Sequence, residues 1–236
     1  MTSNISVCMA VKNGAVYIQE QLSSILPQLA GDDELIISDD HSTDDTINII
    51  QGIRDPRIRL ISNSGSGLIS NFETALCSAK GSYIFLADQD DVWVHDKVKA
   101  TLCLLKDYDL VVTDCMIVNE VLELKQDSFY NMNHSRKGLF YNLYKNSYMG
   151  CCMAFHNKVL TKALPFPEGI PMHDVWLGLI AEVYFKVKFT EKKLLYHRRH
   201  LHNASTTANQ SNTSFTDKML KRFWLLKNVI AMSYAS

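Results

Sequence analysis

Along the first ninety positions, short apolar runs alternate with stripes of apolar residues at helical spacing. Ile5-Ser6-Val7-Cys8-Met9-Ala10-Val11 is nearly continuous in apolar character and reads as a strand. Lys12-Asn13-Gly14 is turn-like, and Tyr17 to Leu29 then carries Ile18, Leu22, Ile25 and Leu29 at the spacing of one helix face, with Pro27 near its end. Glu34 to Ser38 reads as a second strand, and Asp44 is placed to cap a helix carrying Ile47, Ile50 and Ile53. Arg57 to Ile61, Asn71 to Ala79 and Tyr83 to Ala87 continue the series as strand, helix, strand. This alternation predicts a parallel sheet covered by helices.

Past Asp91 the rhythm changes. Leu110 to Thr113 reads as a strand, whereas Asp127 to Lys145 is polar and aromatic without a period. A strand over Cys151 to Phe155, a helix near Val159, a helix over Trp176 to Ala181 and strands at Tyr184–Phe189 and Lys193–His197 predict a mixed second half. No internal repeat is present. Ser205 to Thr216 is rich in Ser, Thr and Asn and reads as a mobile loop. Asp217 then opens a helix reaching Tyr234, with Met219, Leu220, Phe223, Trp224, Leu226, Val229 and Ile230 as apolar positions. The organisation expected is residues 1–203 as one unit, divided at about residue 95, followed by a loop and helix over 204–236.

Composition narrows the class. The chain has 236 residues, 47% hydrophobic and 21% charged, an ordinary globular mixture that argues against disorder. A net charge of −1 gives no reason to expect nucleic acid as a partner. No apolar run approaches the roughly 18–20 residues of a membrane span, and Met1-Thr2-Ser3-Asn4 lacks the features of a signal peptide, so a cytosolic location is expected. Of six cysteines, Cys8, Cys77, Cys103 and Cys115 lie in apolar patterns expected of reduced core thiols; Cys151 and Cys152 are adjacent, and no C-x-x-C pair supports a zinc ribbon.

Four constellations carry candidate chemistry. Asp88-Gln89-Asp90-Asp91 places three carboxylates at the C-terminal end of a buried strand, the edge where open α/β sheets bind ligands. Carboxylates this close repel one another, and a hard cation such as Mg²⁺ or Mn²⁺, itself suited to diphosphates, relieves the repulsion; the alternative is a solvated acidic turn. Within the cluster Asp90 is the candidate metal ligand, Asp88 a ribose contact or water-mediated ligand, Asp91 a cap for the next helix and Trp93 a packing residue. In Ser38 to Asp45, Asp39 can accept hydrogen bonds from a base or ribose, or the whole stretch can be a capping loop. In Met172-His173-Asp174-Val175-Trp176, Asp174 is either a helix cap or a general base, with His173 tuning it or packing. His197-Arg198-Arg199-His200-Leu201-His202-Asn203 offers positive charge and imidazole ligands for a diphosphate, or is an exposed basic loop.

Together these motifs resemble the family 2 glycosyltransferases with a GT-A fold, and are most similar to the bacterial branch of rhamnosyltransferases and related O-antigen or capsule enzymes. The matching pieces are Ala10-Val11-Lys12-Asn13, Asp39 to Asp44, Asp88 to Trp93, Gly150 to Phe155, His173 to Trp176, and Arg198-Arg199-His200 with Asn203, in the family's order. The resemblance implies a Rossmann-like α/β domain with a mostly parallel sheet, whose first half binds a nucleotide sugar and whose mixed second half binds the acceptor. It implies that Val11, Asn13, Asp39, Asp88, Arg198 and Arg199 contact the nucleotide sugar, and that Asp90, Asp88 and His200 hold Mn²⁺ or Mg²⁺. Asp174 would be the catalytic base, and Gly150, Cys151, His173 and Trp176 would line the acceptor pocket. The reaction implied is inverting transfer from dTDP-L-rhamnose or a UDP-hexose to a lipid-linked or oligosaccharide acceptor. The final helix mixes Lys218, Lys221, Arg222 and Lys227 with Phe223, Trp224 and Leu225, as a helix resting on an anionic membrane does.

Three rivals remain at this point. A nucleotidyltransferase also sets acids beside a metal but normally opens with a Gly-rich basic loop, for which Lys12-Asn13-Gly14 is too poor. A catalytically inactive sugar-binding module would lack Asp90 or Asp174. A response regulator is shorter and lacks the His-Asp-x-Trp and Arg-Arg-x-His features.

Overall fold

The computed structural model describes residues 4–200 and 215–231. The loop expected over Ser205 to Thr216 and the end of the last helix at Tyr234 fall largely outside these residues, as do His202 and Asn203. The chain runs β1 (Ile5–Val11), α1 (Ile18–Ile25), β2 (Glu34–Asp39), α2 (Thr46–Gly52), β3 (Ile58–Ser62), α3 (Leu68–Cys77), β4 (Tyr83–Asp88), β5 (Val92–Trp93) and α4 (Lys97–Leu105). It continues through β6 (Leu110–Val118), β7 (Leu124–Gln126), α5 (Phe129–Asn133), α6 (Leu139–Tyr144), β8 (Met153–His156), α7 (Leu160–Ala163), α8 (His173–Tyr184), β9 (Val187–Arg198) and α9 (Phe215–Ala231).

The strands form one sheet in the order β3-β2-β1-β4-β8-β6-β9-β5, with β7 on β6. β1 to β4 are mutually parallel, as the alternation predicts. Every residue of β1 is buried, which explains its unbroken apolar character: a central parallel strand is covered on both faces. β4 pairs antiparallel with β8, and β5 antiparallel with β9, so the two halves of the chain share one sheet.

Some elements depart from expectation. α1 stops at Ile25, and Leu26–Gln28 tightens into a 3₁₀ turn that holds Pro27 near its start, where a missing N–H is harmless. The aperiodic stretch 127–145 contains two short helices. Tyr184 ends α8 instead of opening a strand, and Val187–Arg198 is one strand whose pairing to β6 shifts register near Thr113 and Asp114. Cys8 and Cys115 are buried as expected, but Cys77 and Cys103 are exposed. Cys77 closes α3, and Cys103 lies on α4 between the buried positions Thr101 and Leu105, so both face outward.

The register sets the site. Val11 is opposite Asp39, and Ala10 is opposite Asp88, so β2, β1 and β4 present their C-terminal ends side by side.

Candidate active site

At that edge lies a cavity of about 460 Å³. The end of β1 and the residue after it contribute Ala10, Val11 and Lys12, the end of β4 and the turn after it contribute Asp88, Gln89 and Asp90, and α3 with its preceding loop contributes Gly67, Leu68 and Asn71. The opposite wall comes from the second half: Phe129, Asn133, Asn146, Tyr148, Met149 and Gly150, then Met172, His173 and Asp174. His197 of β9 completes the lining.

The rim near β1 is stiffened by reciprocal bonds. Gln89 accepts from the Lys12 N–H at 2.8 Å and donates to the Lys12 carbonyl at 3.0 Å. Asn13 adopts a left-handed φ of 50° and accepts from the Thr43 N–H at 2.8 Å, tying the β1 loop to the β2 loop. Asp40 pairs with Lys12 at 2.9 Å and accepts from Asn63 at 2.8 Å. Burial works against its charge, yet Lys12, Asn63 and the Gly67 N–H together hold it below the ordinary carboxylate range.

The acidic cluster is electrostatically loaded. Burial, then the charges of Asp91 and Asp90, push Asp88 well above the usual range. Asp90 is also raised by burial and by Asp91, with His200 pulling the other way; the His200 Nε2 lies 2.8 Å from an Asp90 carboxylate oxygen. Asp91 is different. It is fully buried, and although burial opposes its charge, His197 at 3.0 Å and the Arg198 N–H at 3.0 Å hold it below the ordinary value. Asp91 therefore does not cap the next helix, which starts only at Lys97; it pins β9 beside the cluster.

The donor types of Asp88, Asp90 and His200, two carboxylates and an imidazole, are ones that suit a hard divalent cation such as Mn²⁺ or Mg²⁺, with His200 already in contact with Asp90. Across the cavity Asp174 accepts from the Gly150 N–H at 3.1 Å and from the Val175 N–H at 2.7 Å, and burial lifts it to about 6. His173 stacks on Phe72 with ring centroids 3.8 Å apart, and burial alone drives it down to about 3, so it is a neutral imidazole. Gly150 is required here: a Cβ would stand 2.8 Å from the His173 Nε2.

A buried sheet edge that gathers an acidic cluster and a single facing carboxylate agrees with the comparisons. Residues 6–164 match the family model described as Glycosyl transferase family 2. The chain belongs to that family. Among family 2 relatives, the UDP-Glc:alpha-D-GlcNAc-diphosphoundecaprenol beta-1,3-glucosyltransferase WfgD of Escherichia coli is 27% identical over 184 residues, covering 75% of this chain and 70% of that protein. The dTDP-rhamnosyl transferase RfbG of Shigella flexneri is 26% identical over 245 residues, covering 93% and 79%. The crystal structure of S. aureus TarS 1-349 in complex with UDP-GlcNAc superimposes with a TM-score of 0.73 at 19% identity, covering 95% of this chain and 67% of that one. At that identity the likeness speaks to the fold, which is GT-A.

In this family 2 chain the structure gathers Val11, Asp88, Asp90, Gly150, His173 and Asp174 around one cavity. His200 stands behind Asp90, Asn13 lies in the loop after β1 and Asp39 ends β2, both outside the cavity lining; the Asp39 carboxylate accepts from the Ser42 N–H at 3.1 Å, while its neighbour Asp40 lines the wall. Three residues are placed elsewhere. Trp176 is fully buried, with its indole N–H donating to the Ala163 carbonyl at 2.8 Å, so it anchors α8 to α7 instead of touching an acceptor. Cys151 is fully buried beneath Gly150 and belongs to the core. Arg198 turns its guanidinium into the protein, donating to the Asp90 carbonyl at 2.8 Å, to the Glu120 carbonyl and to the Glu20 carboxylate, and stacking 4.6 Å from Tyr17. It positions the cluster from behind.

Sequence reasoning missed Lys12, Asp40, Gln21 and the wall formed by Phe129, Asn133, Asn146 and Tyr148. Gln21 had a signal: it is a polar residue on the apolar face of α1, and its amide donates to the Asp88 carbonyl at 2.7 Å. The wall residues come from short aperiodic helices and loops, where no periodicity points to a face.

Proposed function

We propose that this chain is an inverting, metal-dependent glycosyltransferase that moves L-rhamnose or a hexose from a nucleotide diphosphate to a saccharide or lipid-linked acceptor in cell-surface polysaccharide synthesis. The observation that carries the reading is the placement of Asp88 and Asp90, backed by His200, and of the Asp174 carboxylate around the same cavity. The nucleoside would lie along the ends of β1 and β2, near Val11, Asn13 and Asp39, with Asp88 toward the ribose. Mn²⁺ or Mg²⁺ held by Asp90, Asp88 and His200 would supply positive charge for the diphosphate. Arg199, whose N–H donates to the Val118 carbonyl at 2.9 Å, is the arginine proposed to face the leaving group.

Asp174 would take the proton of an acceptor hydroxyl as that oxygen attacks the anomeric carbon on the side opposite the nucleotide. One carbon–oxygen bond forms, the bond to the diphosphate oxygen breaks, and configuration inverts in a single displacement. The backbone N–H groups of Gly150 and Val175 fix the carboxylate's orientation, and neutral His173 beside it can hydrogen-bond an acceptor hydroxyl without competing for the proton.

The test pairs two variants. Asp174→Asn should keep the thermal stabilisation given by donor and Mn²⁺ while turnover falls by about 10²–10⁴-fold. Asp90→Ala should lose the metal-dependent part of that stabilisation. Normal turnover in the first, or unchanged metal-dependent stabilisation in the second, refutes the corresponding role.

A lipid-linked acceptor also fits the surface. On α9 the exposed positions Leu220, Phe223, Lys227 and Ile230 share one stripe, while Leu225 and Val229 face the core. Phe140 and Tyr144 of α6 are exposed nearby, and Arg222 joins the two helices by donating to the Tyr144 carbonyl at 2.8 Å. This aromatic and basic surface suits an anionic membrane.

A further inference from the structure

A second donor cluster lies against the cavity, separate from the Asp88, Asp90 and His200 set. Asp91, Cys151 and His197 come from three different segments, all three are buried, and one donor atom from each lies within 4.8 Å of the other two. The His197 Nδ1 is 3.0 Å from an Asp91 oxygen and 3.9 Å from the Cys151 Sγ. Among the described residues the other Asp91 oxygen, Oδ2, is buried without a hydrogen-bond partner, which is costly unless something fills the position. The neighbourhood is rich in sulfur: the Cys115 and Cys152 thiols stand 3.6 and 3.8 Å from the Met149 thioether.

We propose that Asp91, Cys151 and His197 form a binding site for a single borderline-to-soft divalent cation, Zn²⁺ or its analogue Cd²⁺. The spacing already approximates what such an ion needs, because bonds of about 2.0–2.3 Å in a tetrahedral site set its donors roughly 3.3–3.8 Å apart. The donor types also differ from those of the diphosphate site. Thiolate and imidazole select zinc over magnesium, whereas the carboxylate-rich set beside them suits the harder ion.

Charge is conserved in the buried space. Before binding, the Asp91 carboxylate is paired with the His197 ring at 3.0 Å beside the Cys151 thiol, a set that is neutral as an ion pair plus a thiol. On binding, the imidazole and the thiol each release a proton to solvent, leaving Zn²⁺ with one carboxylate, one thiolate and one neutral imidazole. Both states are neutral, so entry of the ion leaves no uncompensated buried charge. His197 lines the cavity, so the cluster adjoins that space on one side.

The test uses the reduced, chelator-treated full chain carrying Cys77→Ser and Cys103→Ser, which removes the two exposed thiols. Titration with Cd²⁺ should produce an ultraviolet thiolate-to-cadmium band that saturates at one ion per chain, is reversed by Zn²⁺ and is indifferent to Mg²⁺. Adding Cys151→Ala should abolish the band, and His197→Gln should weaken binding by about tenfold or more. Asp90→Asn should leave the band intact, which separates this site from the one proposed for the diphosphate. Cadmium NMR on the unsubstituted cluster should report one sulfur donor, a reading that holds even if a variant misfolds. Absence of a saturable band, its survival in Cys151→Ala, its loss in Asp90→Asn, or a two-sulfur cadmium shift would each overturn the proposal.

Discussion

The base role proposed for Asp174 rests on a carboxylate placed where burial disfavours its charge. Burial lifts it from 3.8 to about 6, while the N–H groups of Gly150 and Val175 temper the rise. A base must be ionised to act, so activity should be low below that value and rise with pH through about 6, falling roughly tenfold per unit on the acid side. The pH dependence of kcat/KM measured on a soluble acceptor checks this, and the limb should vanish in the residual activity of Asp174→Asn. A limb near 4 instead would mean the carboxyl is solvated in the free enzyme. His173 is the counterpart. With both ring nitrogens buried and unpartnered in the described structure, its neutral ring holds unspent hydrogen-bonding capacity beside Asp174.

Among the elements, β9 has the widest reach. Its pairing with β5 carries His197 to His200 alongside the acids, and Arg198 then reaches Glu20 on α1, the Asp90 carbonyl and the Glu120 carbonyl at once. Removing that side chain strands two carbonyls and an acid. Because Glu20 is half exposed and can rehydrate, Arg198→Met should lower unfolding stability by about 2–3 kcal/mol rather than the larger loss of a wholly buried pair. Chemical denaturation measures this, with donor affinity followed in parallel. Full stability combined with lost donor binding would instead put the guanidinium on the diphosphate.

For the whole molecule, a net charge of −1 conceals an uneven distribution. Acids crowd the sheet edge, while α9 holds four Lys and Arg residues against Asp217 alone. Among the described residues no helix is long and apolar enough to cross a membrane, so contact with lipid would be lateral, through the stripe of α9 and the aromatic end of α6. Sedimentation with vesicles containing anionic phospholipid should pull the protein down, with binding that weakens in high salt and in Phe223→Ser combined with Phe140→Ser. Equal recovery with neutral vesicles, or none with anionic ones, would leave that surface for another partner.

Much of this protein was legible from its residues alone. The strands β1, β2 and β4, the parallel order they imply and the acids at their C-terminal ends follow from local apolar runs and the polar residues that terminate them, because a buried parallel strand imposes its composition residue by residue. The core role of Cys8 follows for the same reason. What each acid does is a different matter. Asp88, Asp90 and Asp91 are adjacent in the chain, yet two are forced up in pKa and one is held down, and the deciding neighbours, His197 and His200, lie more than a hundred positions away. The same long-range pairing turned Arg198 inward, buried Trp176 and Cys151, and built the far wall of the cavity from aperiodic segments. Periodicity encodes which face of an element is buried; only the closed sheet decides which buried groups meet.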